Sequence, residues 1–178
     1  MAKTNWKIDA VHSSIEFSIK HMMIAKAKGG FEKFSGNIHV DPDDLTGGDI
    51  EVTIDVASID TRQNDRDDHL RSADFFDVEN YPEATFVSTE IKKKADNHYE
   101  ITGDLTLRGI TKPVTIDTEF AGQSKDPMSG NEVIGFSGTT QINRKDFDLT
   151  WNTALETGGV LLGDEVTINI ELEAYKEA

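Results

Sequence analysis

Residues 62 to 77 read RQNDRDDHLRSADFFD, which sets three arginines and five aspartates around His69 and the adjacent Phe75 and Phe76. Asp65, Asp67, Asp68 and His69 are metal-ligand types in close order. A metal site needs about three groups converging on one point, usually with a second histidine at a spacing such as HExxH. That spacing is absent, and His12, His21, His39 and His98 fall on separate predicted strands or turns. A histidine beside a carboxylate is also suited to acid–base work, provided it has an activated nucleophile or a substrate to act on. No GxSxG elbow, Walker loop or GxGxxG is present to organise such chemistry. The expectation is therefore no metal ligands, no cofactor and no catalysis. The stretch reads instead as a polar cap over one region of the fold, anchored by Phe75 and Phe76, with its arginines and aspartates paired to each other or solvated.

The elements that must carry this cap are strands. Ile15, Phe17 and Ile19 alternate with Ser14, Glu16, Ser18 and Lys20, and Ile50, Val52, Ile54 and Val56 alternate with Asp49, Glu51, Thr53 and Asp55. Val166, Ile168, Ile170 and Leu172 repeat the pattern near the C-terminus. A period of two places successive side chains on opposite faces, the mark of half-buried antiparallel strands. Weaker alternation in FSGNIHV, ATFVSTEI, HYEITGDLTLRG, PVTIDTEF and IGFSGTTQINR brings the total to roughly eight, the number that closes a small up-and-down barrel. Gly- and Asx-rich breaks such as DPDDLTGG and KDPMSGNE supply the turns. Residues 64–76 predict one or two helical turns across a barrel end, and HMMIAKAKG at 21–29 reads as a short helical turn or a wide loop. The expected fold is an all-β, antiparallel, eight-stranded barrel with one or two short helical turns, in one domain spanning residues 1–178.

Composition narrows the partners. The 33 acidic and 18 basic residues give a formal charge of -15, which repels nucleic acid and anionic lipid surfaces. The absence of cysteine excludes disulfides, thiolate metal sites and a cysteine nucleophile. MAKTNWKIDAVHSS lacks the apolar core of a secretory signal and no run is long enough to span a membrane, so no transmembrane segment is expected and the chain as given reads as cytoplasmic, unless a leader has been removed.

An eight-stranded barrel either fills itself with side chains or keeps a cavity for one small ligand. The predicted inward positions include Phe17, Ile19, Phe34, Ile38, Ile54 and Phe86, and further along Leu105, Leu107, Phe136 and Ile142. Gly36, Gly103 and Gly138 fall on the same faces, where they either leave room for a ligand or ease strand bending. His21 is in phase with Phe17 and Ile19 and should point inward near one rim, either donating to a ligand's polar head or satisfied by a carbonyl. Arg144 and Arg108, each at a strand end, are candidates for the same rim or else solvated turn residues.

In chain order, WKIDAVHSSIEFSIKH, FSGNI, ASIDTRQNDRDDHLRSADFFDVENYPEATF, GDLTLRGITKPV, FSGTTQINRKDF and GDEVTINIELEA closely resemble the YceI-like family over essentially the whole chain. The resemblance implies a lipocalin-like barrel whose apolar interior binds a polyisoprenoid or similar long-chain lipid, without established catalysis. It also implies that a periplasmic location and a homodimer occur among relatives. This sequence departs from the family pattern at Asp148, where a glycine is expected after Phe147, and in MMIAKAKGG at 22–30. The expected function is lipid binding for carriage, storage or sequestration, with the residues named above as the lining and His21, Arg144 and the 62–71 stretch near the head group. Rival readings are an enzyme using His69 or His21 as base on a lipid-like substrate, and an acidic module that docks a basic protein.

Overall fold

The eight alternating segments all form strands, three further strands join them, and eight of the eleven close into a ring that takes in the unpredicted N-terminal strand in place of the Ser14–Lys20 segment. The computed structural model describes residues 2–156 and 158–177. In chain order the elements are β1 (Thr4–Ile8), β2 (Ser14–His21), β3 (Ala25–Phe31), β4 (Phe34–Asp41), β5 (Asp44–Asp55), β6 (Ile59–Asp60), α1 (Asn64–Arg71), β7 (Glu83–Ala95), β8 (His98–Leu107), β9 (Ile110–Lys125), β10 (Glu132–Asn143) and β11 (Leu162–Lys176). The antiparallel order β1-β4-β5-β7-β8-β9-β10-β11 returns to β1, which makes the eight-stranded barrel expected from the alternation.

The long β11 explains both the closure and the opening. Ala174 and Lys176 pair with Ile8 and Trp6 of β1, whereas Val166, Ile168 and Ile170 pair with Ile19, Phe17 and Ile15 of β2. Between β1 and β2 the chain makes a 3-10 turn at Ala10–His12, with the Asp9 side chain accepting from Val11 N. Beyond this break, β2 and β3 take the place of β1 and β4. β3 then meets β6 through only two residue pairs, Gly30–Asp60 and Phe31–Ile59. The barrel is thus fully laddered at one end and loosely joined at the other, where α1 follows β6 across the gap.

Packing follows the same division. At the laddered end Trp6, Ile38, Val40, Leu45, Ile134 and Ala174 are each 1% exposed or less, a solid core. A second cluster of Val56, Phe75, Ala84, Leu107, Phe147 and Leu149 fills the space under the segment after α1.

Two expectations are corrected, and one departure is explained. HMMIAKAKG is neither helix nor wide loop but the turn and second strand of a hairpin: Met22 and Met23 have φ of 55 and 64, and Ile24 N donates to His21 O at 3.3 Å. Gly36 and Gly103 do not leave room for a ligand, because a Cβ at Gly36 would collide with Glu51 O and Ile8 and one at Gly103 would lie 2.5 Å from the Phe86 ring. These glycines let neighbouring side chains cross the strand; Gly138 is the one of the three that borders the cavity, and even there a Cβ would lie 2.9 Å from Ile116. The departure at Asp148 is explained by its φ of 60 and ψ of 26, a left-handed conformation that glycine adopts freely and aspartate tolerates.

Candidate functional site

The loosely joined half of the barrel encloses a cavity of about 500 Å³, within the usual range of small-molecule sites. Its signature in the strands is incomplete burial. Ile168, Ile170 and Leu172 of β11, with Leu105, Ile116 and Ile54, point inward by alternation and pack against the core, yet are only half-buried because they also border a hollow. A filled barrel of the same periodicity would bury them.

Of the residues expected to line it, β2 contributes Phe17, Ile19 and His21, and β4 and β5 contribute Ile38 and Ile54. The opposite wall carries Phe86, Leu105 and Leu107, then Phe136 and Ile142, and Arg144 follows β10. Phe34 is the exception: it is 9% exposed and packed in the core, and it does not border the cavity. Alternation fixes the face a side chain takes, but not whether the barrel is filled at that height.

The stretch 62–77 builds one side of the mouth. Gln63 caps α1 through its side chain, Asp65 and Asp67 lie in the first turn and Arg71 in the last, each charge placed favourably against the helix dipole, and His69 shares the last turn. The expected reciprocal pairing of arginines and aspartates is corrected. Arg71–Asp68, at 3.0 Å, is the one such pair within the stretch among the described residues, while Asp67, Arg66 and Arg71 hold the chain just before α1. Buried Asp67 accepts from Thr61 N at 2.9 Å and from the Thr61 hydroxyl. Arg66 donates to Thr61 Oγ1 at 2.8 Å and Thr61 O at 2.6 Å, and Arg71 donates to the carbonyls of Ala57 and Ile59. Arg108 is no solvated turn residue: it spans the carbonyls of Ala73 and Asp148, clasping two loops together. α1 is thereby fixed to β6, with Thr61, Asp65, Arg66, His69 and Leu70 bordering the cavity.

His69 contacts Asp74 through Nε2 at 3.0 Å and stands edge-on against Phe75 and Trp151, at centroid distances of 5.0 and 4.8 Å. Phe31, Phe76 and Trp151 join the lining without having been expected there. Trp151, an aromatic isolated in the polar run DLTWNT, was a legible signal for a local docking role; Phe31 and Phe76 were not in clear phase with any strand.

Arg144 is the most unusual group in the wall. The Asn143 side chain accepts from Lys145 N and starts a 3-10 turn at Arg144–Phe147, which turns the Arg144 side chain inward. It is 2% exposed, with Nε donating to Gly163 O at 2.8 Å and Nη1 to the carbonyls of Leu149 and Trp151. Nη2 has no partner among the described residues. Burial pushes the guanidinium below its ordinary range, partly offset by Asp164, but an arginine so placed stays charged. An unpaired buried donor is costly, so it marks a place for an acceptor. The site thus sets a long apolar wall beside a fixed cation that borders the cavity and has one hydrogen-bond donor unused among the described residues.

Residues 6–174 match the family model of the YceI-like domain. A UPF0312 protein of Staphylococcus epidermidis is 45% identical over 174 residues, covering 98% of this chain and 96% of its own. The crystal structure of Burkholderia cenocepacia BcnA superposes with a TM-score of 0.81 at 31% identity, over 93% of this chain and 98% of that one. A polyisoprenoid binding domain from Saccharophagus degradans, implicated in plant cell wall breakdown, shares the fold at a TM-score of 0.73 and 16% identity, over 97% of this chain and 98% of its own.

Proposed function

The chain belongs to the YceI-like family, and on that footing we propose that it binds a polyisoprenoid or similar long apolar chain inside the barrel, for carriage, storage or sequestration. The observation that carries this reading is the ring of inward, half-buried aliphatic and aromatic residues around the cavity. The likeness in fold to a domain described as polyisoprenoid-binding supports it. A tail entering the cavity removes apolar surface from water on both sides, at roughly 25 cal/mol per Å² before ordering costs. The head group is assigned to Arg144, whose Nη2 has no partner among the described residues, with His21 of β2 as a second polar group lining the cavity. A carbonyl or phosphate oxygen there would complete the guanidinium's hydrogen bonds, and Arg suits either.

Trp151 in the wall gives the test. Its fluorescence is titrated with ligands of one head group and increasing isoprenoid length, dispersed without detergent. Affinity should rise with each added unit until the cavity is full and then level off. Equal affinity for all lengths would contradict a buried tail.

A further inference from the structure

The tip of the β2–β3 hairpin is built at an energetic disadvantage in water. Its three-residue loop joins His21 to Ala25, and the first two residues have positive φ, a conformation that favours Asn and Gly, yet the positions hold Met22 and Met23. Both side chains are about half exposed, the adjacent Ile24 is 85% exposed, and Val160 in the facing loop is 38% exposed. Met22 N donates to Leu161 O at 2.7 Å and Gly159 lies against Met23, so hairpin tip and loop form one apolar surface. Leu161 and His21, either side of it, line the cavity.

The hairpin's own charges are opposite in sign to the molecule's, while exposed Glu156 of the facing loop and Glu165 at the start of β11 carry negative charge beside it. Lys20 to Lys28 holds three lysines and no acid, in a chain of net charge -15. Lys20 and Lys26 sit directly opposite each other across the hairpin, a like-charge pairing that destabilises a ladder. Lysines guard exposed sheet edges, and the short contact of β3 with β6 leaves such an edge. Edge protection accounts for Lys26 and Lys28 but not for the sulfur and aliphatic side chains at the tip. Asp164, near Lys20 in the chain fold, is engaged by Lys145 at 3.4 Å. At physiological ionic strength charges beyond about 8 Å are largely screened, so a surface touching the tip meets the lysines rather than the net charge.

We propose that the β2–β3 tip docks on an anionic lipid bilayer, inserting Met22, Met23 and Ile24 at the headgroup boundary while Lys20, Lys26 and Lys28 face lipid phosphates. Apolar insertion combined with a basic rim is the physical pattern of interfacial anchoring. The cavity mouth then opens toward the membrane, a route for a lipid that rests on the binding reading above; the docking itself does not.

The test is co-flotation of the full chain with phosphatidylcholine vesicles, with and without phosphatidylglycerol. Wild type should float with the mixed vesicles, and much less with phosphatidylcholine alone or in high salt. Lys20→Gln and Lys26→Gln should each lower partitioning about fivefold. Ile24→Ser should lower it further, and none of the three should lower the melting temperature, the two lysine variants raising it slightly as the like-charge pair is relieved. None of these residues borders the cavity, so isoprenoid titration monitored by Trp151 should be unchanged. Failure of wild type to float, or equal flotation of wild type and the variants, would overturn docking. Self-association through the tip in place of flotation would overturn it too. Loss of isoprenoid binding by wild type would instead count against the cavity reading alone.

Discussion

Arg144 Nη1 donates to the carbonyl oxygen of Trp151 at 2.9 Å, tying a buried cation to the residue whose indole walls the same cavity. The bond fixes the direction of the guanidinium, so its free Nη2 is a positioned donor.

Arg144→Gln should therefore have two separable effects. Leaving the carbonyls of Gly163, Leu149 and Trp151 short of donors should cost about 1–3 kcal/mol in denaturant unfolding. Ligands of equal tail with and without an acceptor head should also become equivalent. Arg144→Lys should restore neither fully, because a point charge cannot serve three carbonyls in a plane. An undiminished preference for the acceptor head in Arg144→Gln would remove Arg144 from the head-group site.

Phe75 is 7% exposed and packs on Trp151 at 5.3 Å, holding down the segment after α1. Phe75→Ala should destabilise by about 3–5 kcal/mol, and Phe76→Ala by less since Phe76 is only half-buried. Urea unfolding checks both, and an unchanged midpoint in Phe75→Ala would refute the anchoring role.

Asp148→Gly should stabilise the protein by several tenths to about 1 kcal/mol, since the aspartate holds φ at 60. Its carboxylate lies 4.0 Å from Arg108, an exposed contact with little to lose. A lower melting temperature in Asp148→Gly would show that the side chain contributes more than its backbone costs.

Period-two alternation sufficed for the barrel, because one-sided burial leaves no other face for Ile168 or Phe17. It was silent on the hollow, since Ile170 would alternate identically in a filled core. Asp148 was legible as an anomaly only through the family pattern, which expects at this position the glycine that its left-handed φ favours. The β2–β3 turn was illegible because Met22 and Met23 carry no turn chemistry, and the tight chain reversal there is imposed by pairing along β2. Arg144 was recognised as a rim residue, but its burial depends on the turn at Arg144–Phe147 and on carbonyls up to nineteen residues away. The arginines and aspartates of α1 looked like mutual partners, yet Thr61 outcompetes them by offering backbone and hydroxyl groups already fixed by β6.

His12, on the outer face, contacts Asp9 at 2.8 Å and Glu173 at 3.4 Å. Its hydrogen bond to Asp9 is the main reason its pKa lies above the ordinary 6.5, and the same bond holds Asp9 below 3.8. Because the folded value of His12 exceeds the unfolded one, its contribution is complete below pH 6.5 and is lost as pH rises through the folded value. Asp9 contributes above 3.8 and loses its share as pH falls through its depressed value. Histidine NMR titration should place His12 above 6.5 and bring it down in Asp9→Asn; an identical value in both would refute the pairing.

The hollow barrel is tested most directly by native mass spectrometry of the chain purified from its native host without detergent, beside the Ile168→Trp variant, whose indole would fill the cavity. Wild type should carry a stoichiometric long-chain lipid that also appears in an organic extract, and folded Ile168→Trp should carry none. An unloaded wild type that also fails to take up added long-chain isoprenoids would contradict the account.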